Sequence, residues 1–355
     1  MGDVLFSVVM PVLNAMPYFE RALGSVMSQA GGDTEIIVVD GGSTDGTVEL
    51  LRTVERNNEC SDASVQCSDD YCSQRNDCNY EGKKGSLTKK SASGRGVECL
   101  NALMPERLSV EKDLAANGAR EKRGECQEVL NTEYCTLNTI QRSVRTLRWV
   151  SERDGGQSEA LNKGFAMARG RYLFWLNGDD MLLPGALEKI RGYLKEHPEC
   201  EWLAGNMVII DEKGVVRKCL RGSNWFDYIY RHAPVRVYGP SSVFSRELYL
   251  RSRGFDNTLH YCMDSDLWQQ FRAMGVRYVR LHEYIWGFRN HEASKTNSGV
   301  ATTEEVQAQE RKRMHKQNGL QVRRWNTTLS RARRCLDGTY LMALADTLRM
   351  RGQRV

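Results

Sequence analysis

The chain has 355 residues, 41% of them apolar, and a formal charge of +5. That length holds one large domain or two ordinary ones, and so mild a charge gives no electrostatic footprint for nucleic acid. Met1-Gly2-Asp3-Val4 does not open a signal peptide. No run approaches the ~18 apolar residues of a membrane span, so a cytoplasmic protein is the expectation.

Phe6–Pro11 reads as a buried strand, followed by Val12-Leu13-Asn14 and a helix from about Pro17 to Gln29. Phe19, Leu23, Val26 and Met27 recur there at helical spacing. Glu35–Val39 is a second apolar strand. It closes on Asp40, turns through Gly41-Gly42 and starts a helix near Val48, with Ser43 or Asp45 available as its cap. Two tandem strand–helix units argue for a parallel, Rossmann-like sheet. Asp40 then lies at the carboxyl end of its strand, where open α/β sheets take ligands.

Residues 57–147 break this pattern. They contain no Phe, no Trp and a single Ile, Ile140, among many Ser, Asn, Lys, Glu, Arg and Gly. Seven of the 11 cysteines fall there: Cys60, Cys67, Cys72, Cys78, Cys99, Cys126 and Cys135. An odd number cannot all pair among themselves, and no CxxC spacing suggests zinc. The expectation is a flexible insertion over 57–146 with reduced thiols, leaving the sheet at the edge away from the ligand crevice.

Order resumes with a strand over Leu147–Ser151, a polar loop over Glu152–Ser158 and a helix over Glu159–Ala168. Arg171–Leu176 is a third apolar strand, closed by Asn177-Gly178-Asp179-Asp180, and Pro184 begins a helix reaching about His197. Trp202–Ile210 and Val215–Cys219 read as a hairpin. An aromatic segment (Trp225–Tyr238), Tyr261–Phe271 and Trp286–Lys295 follow, then a helical, basic tail over 301–355.

Adjacent carboxylates at the end of an apolar strand offer hard oxygen donors for Mg2+ or Mn2+. An ordinary Asn-Gly-Asp turn accounts for that motif equally well on its own. The Asp40–Thr47 loop is not an EF-hand: Asp45 stands where that loop needs Gly, and a strand precedes it. No Lys-rich phosphate loop of the Walker type is present.

Taken together, Pro11–Asn14, Asp40–Thr47, Ser151–Gly156, Ala160–Gly164 and Asn177–Asp180 resemble the motif set of the family 2 glycosyltransferases. The resemblance covers about residues 5–56 and 147–295. It implies a GT-A fold, with a mostly parallel sheet flanked by helices, over 1–56 and 147–300. It also implies metal-dependent transfer of a sugar from a nucleotide-diphosphate donor, a UDP-sugar by expectation, with inversion. The acceptor would be the hydroxyl of a glycan or lipid-linked molecule in cell-envelope or exopolysaccharide synthesis.

By the same resemblance Pro11, Asn14, Asp40, Asp154 and Asp179 bind the nucleotide. Asp40 would meet the base and Asp179 the ribose. Asp180 is the principal ligand of Mn2+ or Mg2+, with Asp179 and with His291 of an RxHxxSxS-like loop. Asp264, in Met263-Asp264-Ser265-Asp266-Leu267-Trp268, is the general base, and Asp266 the alternative. An N-terminal helix cap accounts for Asp264 as well. Trp225, Trp268 and Trp286 either stack on the acceptor or pack the core.

The basic segment Gln309–Arg334, with Glu310 its single acid, is either a solvated helix face or a peripheral contact with the inner face of an anionic membrane. Three other readings compete: an inactive sugar-nucleotide-binding remnant, a nucleotidyltransferase and a secreted, cysteine-stapled module. The second lacks its Gly-rich loop after the first strand, where Pro11-Val12-Leu13-Asn14 stands.

Overall fold

The computed structural model describes residues 4–62, 147–224, 237–292, 294, 300–320 and 324–355. The chain divides into a unit of residues 1–61 with 139–355 and a second of 62–138. Residues 63–146, with most of the expected insertion and six of its cysteines, lie outside the described residues, as do 225–236.

The elements run β1 (Phe6–Val12), α1 (Phe19–Met27), β2 (Thr34–Asp40), α2 (Thr47–Asp62), β3 (Leu147–Ser151), α3 (Gln157–Met167) and β4 (Tyr172–Trp175). Next come β5 (Met181–Leu182), α4 (Ala186–Glu196) and the antiparallel hairpin β6 (Trp202–Ile210) and β7 (Val216–Leu220). β8 (Ser242–Ser245), α5 (Arg246–Arg251), α6 (Met263–Ala273) and β9 (Val279–Arg289) complete the sheet region. Three tail helices follow: α7 (Val300–Gln317), α8 (Arg324–Leu336) and α9 (Thr339–Met350).

The strands form one sheet in the order β3-β2-β1-β4-β8-β6-β9-β5, with β7 paired to β6. β3, β2, β1 and β4 are mutually parallel. β6 and β9 are parallel to each other, and β8 joins the two halves by antiparallel pairing. The expected α/β architecture, a sheet flanked by helices, is what the chain adopts.

Every residue of β1 and β2 is buried. Parallel strands covered on both faces read as continuous apolar runs for that reason. Register fixes what matters for a site: Val12 stands against Asp40, and Asp40 against Ser151. Three strands therefore end level, and their following loops share one edge.

Helix α3 lies close on this sheet because Gly164 has no side chain; a Cβ there would come 2.3 Å from Val9 Cγ1. Behind β4 and β8 sits an aromatic core. Trp268 stacks on Trp202 and Trp175 with ring centres 5.0 and 6.1 Å apart, and Phe271 packs edge-on against Trp202. Trp268 and Trp286 are both buried, so these two belong to the packing, and Trp225 lies outside the described residues.

The tail is stitched to the sheet. Cys219 donates its amide to Thr347 Oγ1 at 2.9 Å, and Asp346 accepts from Arg221 and from the Tyr284 hydroxyl at 2.7 and 2.6 Å. Among the described residues Cys200, Cys219 and Cys262 are buried free thiols and Cys335 is an exposed one. No helix among the described residues is long and apolar enough to cross a membrane.

Candidate functional site

The loops after β1 and β2 are locked to each other. Asn14 adopts a left-handed backbone, φ +48°, a conformation Asn tolerates better than most residues. Its amide donates to Ser43 Oγ at 2.7 Å, and its Oδ1 accepts the Thr44 amide at 2.9 Å. Asp45 Oδ2 accepts the Met16 amide at 2.8 Å while Oδ1 accepts both Thr47 groups at the start of α2. Burial alone would raise the Asp45 pKa, but these bonds outweigh it and hold the carboxyl below its usual range. Pro11 lies just behind this edge, buried within β1 opposite Val39.

Asp40 is fully buried at the end of β2. Its Oδ2 accepts from the Gly42 and Ser43 amides at 3.1 and 3.0 Å and from Ser151 Oγ at 2.6 Å. Its Oδ1 has no hydrogen-bond partner among the described residues. Such an orphaned acceptor is costly unless something donates to it. Asp154 lies beside it across Gly41, where a Cβ would come 3.2 Å from Asp154 Oδ2.

A polar relay leads from this loop to the turn after β4. Gln157 Nε2 donates to Asn177 Oδ1 at 2.7 Å, and Asn177 Nδ2 donates to Asp180 Oδ2 at 2.8 Å. The other Asp180 oxygen accepts the Arg289 amide at 2.9 Å. Asp180 is thus wholly buried with both oxygens occupied. Burial, with the like charge of Asp179, pushes its pKa well above the usual carboxylate range.

Asp179 faces the other way. Its Oδ2 meets His291 Nε2 at 3.0 Å, and its carboxylate is 30% exposed. The His291 ring packs on Tyr18, and the Arg289 guanidinium sits 5.0 Å from the centre of the same tyrosine ring. Arg289 is itself fully buried; its guanidinium donates to the carbonyls of Asp179, Asp211 and Glu212. Burial pulls its pKa below the usual arginine value.

Asp264 stands in the first turn of α6, partly buried, next to the end of β4. A Cβ at Gly239 would come 2.6 Å from the Trp175 ring and 3.5 Å from Asp264 Oδ2. Its neighbour Asp266 is buried instead, accepting from Gln270 at 2.8 Å and Asn318 at 2.7 Å. The start of α6 is held by Glu310 of α7, which accepts the amides of His260, Tyr261 and Cys262 at 2.8, 2.8 and 3.2 Å. The sequence reading passed over this buried acid; its isolation in a basic stretch was the only sign.

The structure therefore brings Asn14, Asp40 and Asp154 to one sheet edge, while Gln157 and Asn177 lead to Asp180 and Asp179 meets His291. Asp264 is placed by the strand that carries the Asp179 turn. No group of three or more His, Cys, Asp or Glu arranged to hold a metal occurs among the described residues.

Residues 7–65 and 139–246 match the family model Glycosyl transferase family 2, and the chain belongs to that family. It is 25% identical over 157 residues to an uncharacterised glycosyltransferase of Methanocaldococcus jannaschii, covering 42% of this chain and 52% of that one. Over 50 residues it is 40% identical to a PGL/p-HBAD biosynthesis glycosyltransferase of Mycobacterium bovis, 14% of this chain and 20% of that one. The chain spans about half the length of the first of these relatives and less of the second. Among solved structures it is similar to S. aureus TarS 1–349 with UDP-GlcNAc: 14% identity, TM-score 0.49, covering 86% of this chain and 65% of that one. It is similar also to the mannosyltransferase PcManGT from Pyrobaculum calidifontis with GDP-Man and Mn2+: 16% identity, TM-score 0.48, 89% and 64% covered.

Proposed function

We propose that the chain is an inverting, metal-dependent glycosyltransferase, moving a sugar from a UDP-sugar or related donor to a hydroxyl acceptor of a cell-envelope or exopolysaccharide glycan. The observation that carries this reading is the 3.0 Å contact between Asp179 and His291, beside Asp180, which a polar relay reaches from Gln157 through Asn177.

One carboxylate and one imidazole fit a Mn2+ ion well, and Mg2+ less so because it prefers oxygen alone. Two protein donors leave positions for diphosphate oxygens. The role expected of Asp180 as principal ligand passes to Asp179, because Asp180 is wholly buried whereas the Asp179 side chain is accessible and meets His291. Asp180 shapes the turn instead. When bound, the cation would neutralise charge growing on the departing diphosphate.

Asp40 is the acceptor for a base N–H, as uracil would offer; its Oδ1 is unpartnered but buried, so the base reaches it only by displacing the cover over it. Asn14, Asp154 and the end of β1 at Pro11 line the same edge. Asp264 takes the acceptor hydroxyl proton as that oxygen attacks the anomeric carbon. The bond from that carbon to the diphosphate oxygen breaks, and the configuration inverts. Asp266 is excluded from this task by its burial and its two partners.

Calorimetry with UDP, GDP and dTDP, each with and without Mn2+, tests the reading. Binding of one nucleotide that needs Mn2+ and is lost in Asp179→Asn supports it. A folded protein that binds none would overturn it.

A further inference from the structure

We propose that the outer faces of α8 and α9 form a docking surface for an anionic lipid bilayer. Both helices are inside out. α8 buries Asn326, Ser330 and Arg334, one face at four-residue spacing, and turns out Trp325, Leu329 and Leu336 at 50, 39 and 89% exposure. α9 buries Thr339 and Asp346 and turns out Leu341, Leu344 and Leu348 at 72, 56 and 70%. A surface helix of a globular domain does the reverse.

The orientation is fixed by polar contacts. Asp346 is held by Arg221 and Tyr284, and Arg334 donates to the Arg221 carbonyl. The leucines of α9 stand at i, i+3 and i+7 and so make one stripe. Eight of the 13 exposed large apolar side chains among the described residues fall between 325 and 348. A patch of this kind marks an interaction site.

Charge selects the partner. Arg331, Arg333, Arg349, Arg351 and Arg354 are exposed in this region, whereas Asp346 is buried and Asp337 half-buried. A second copy would set one arginine rim against another. Anionic headgroups would neutralise it while the leucines and Trp325 enter the acyl boundary. At 12 residues α9 is ~18 Å long, too short to span and suited to lying in the interface plane. The membrane contact that is one of two readings of Gln309–Arg334 thus shifts toward α8 and α9, since α7 is engaged by its Glu310 in holding α6. The inference stands on these two helices and does not require the transferase reading.

The test is flotation of the full chain with vesicles of phosphatidylcholine alone or mixed equally with phosphatidylglycerol. Expected is binding to the mixed vesicles only, weakened by salt and by Arg331→Glu/Arg333→Glu. Leu344→Asp/Leu348→Asp should weaken it at least about tenfold, since burying even one leucine favours binding by that much. Both variants change exposed positions, and circular dichroism checks their folding. Three results would overturn the proposal: no flotation, flotation indifferent to the leucine variant, or a dimer by light scattering that the leucine variant dissociates.

Discussion

Glu310 accepts the backbone N–H of Tyr261 at 2.8 Å, so a tail helix fixes the start of the helix that carries Asp264. The carboxylate also takes the two flanking amides and is 7% exposed. Glu310→Gln keeps the shape but turns an amide group toward N–H donors. Its expected cost is about 1–3 kcal/mol of stability, read by denaturant unfolding. At temperatures where the variant is folded, kcat should fall while the KM for donor holds.

The two aspartates of α6 should separate cleanly. Asp264→Asn should lower kcat by roughly 10²–10⁴-fold, the usual contribution of a general base, with nucleotide affinity and Tm near wild type. Asp266→Asn should lower Tm, because Gln270 and Asn318 both donate to it. Turnover and thermal melts on the two variants check this; equal kcat losses in both would remove Asp264 from the base role.

The turn after β4 gives a second pair. Asp179→Asn and His291→Ala should each abolish Mn2+-dependent nucleotide binding and leave the melting temperature little changed. Asp180→Asn should destabilise the fold, since one of its oxygens becomes a donor facing the Asn177 or Arg289 N–H. Manganese paramagnetic resonance in the presence of UDP reads the binding directly.

Glu35, near the start of β2, makes the sheet acid-sensitive. Burial would raise its pKa, but Ser7 Oγ, the Arg169 amide and the Arg148 and Arg169 side chains hold it below the usual range. A depressed carboxyl contributes its stability fully above the unfolded-state pKa of about 4.3 and loses it as pH falls through the lower folded value. Wild type should therefore lose stability below about pH 4.3 more steeply than Glu35→Gln does. Urea midpoints across that window decide it.

Much of this was legible in the chain because it is local. Asp40 ends an apolar strand and precedes glycines, and a parallel register sets it beside Ser151 of the half-buried β3. Adjacent residues in a turn are harder: Asp179 and Asp180 look alike in sequence, yet one is buried and one meets His291 more than 100 residues away. Glu310 was visible as a lone acid, but its partners lie about 50 residues upstream, beyond any periodicity. The tail was legible as helical and basic, but not which way its apolar residues face: that is set by the polar bonds of Asp346 and Arg334 to a distant residue, Arg221.

The reciprocal bonds among Asn14, Ser43, Thr44, Asp45 and Met16 have a thermodynamic consequence for the donor. Two loops that would otherwise sample many conformers are frozen together when the sheet forms. Their ordering entropy is lost at folding rather than at association, so a nucleotide bound as proposed would meet a rigid rim.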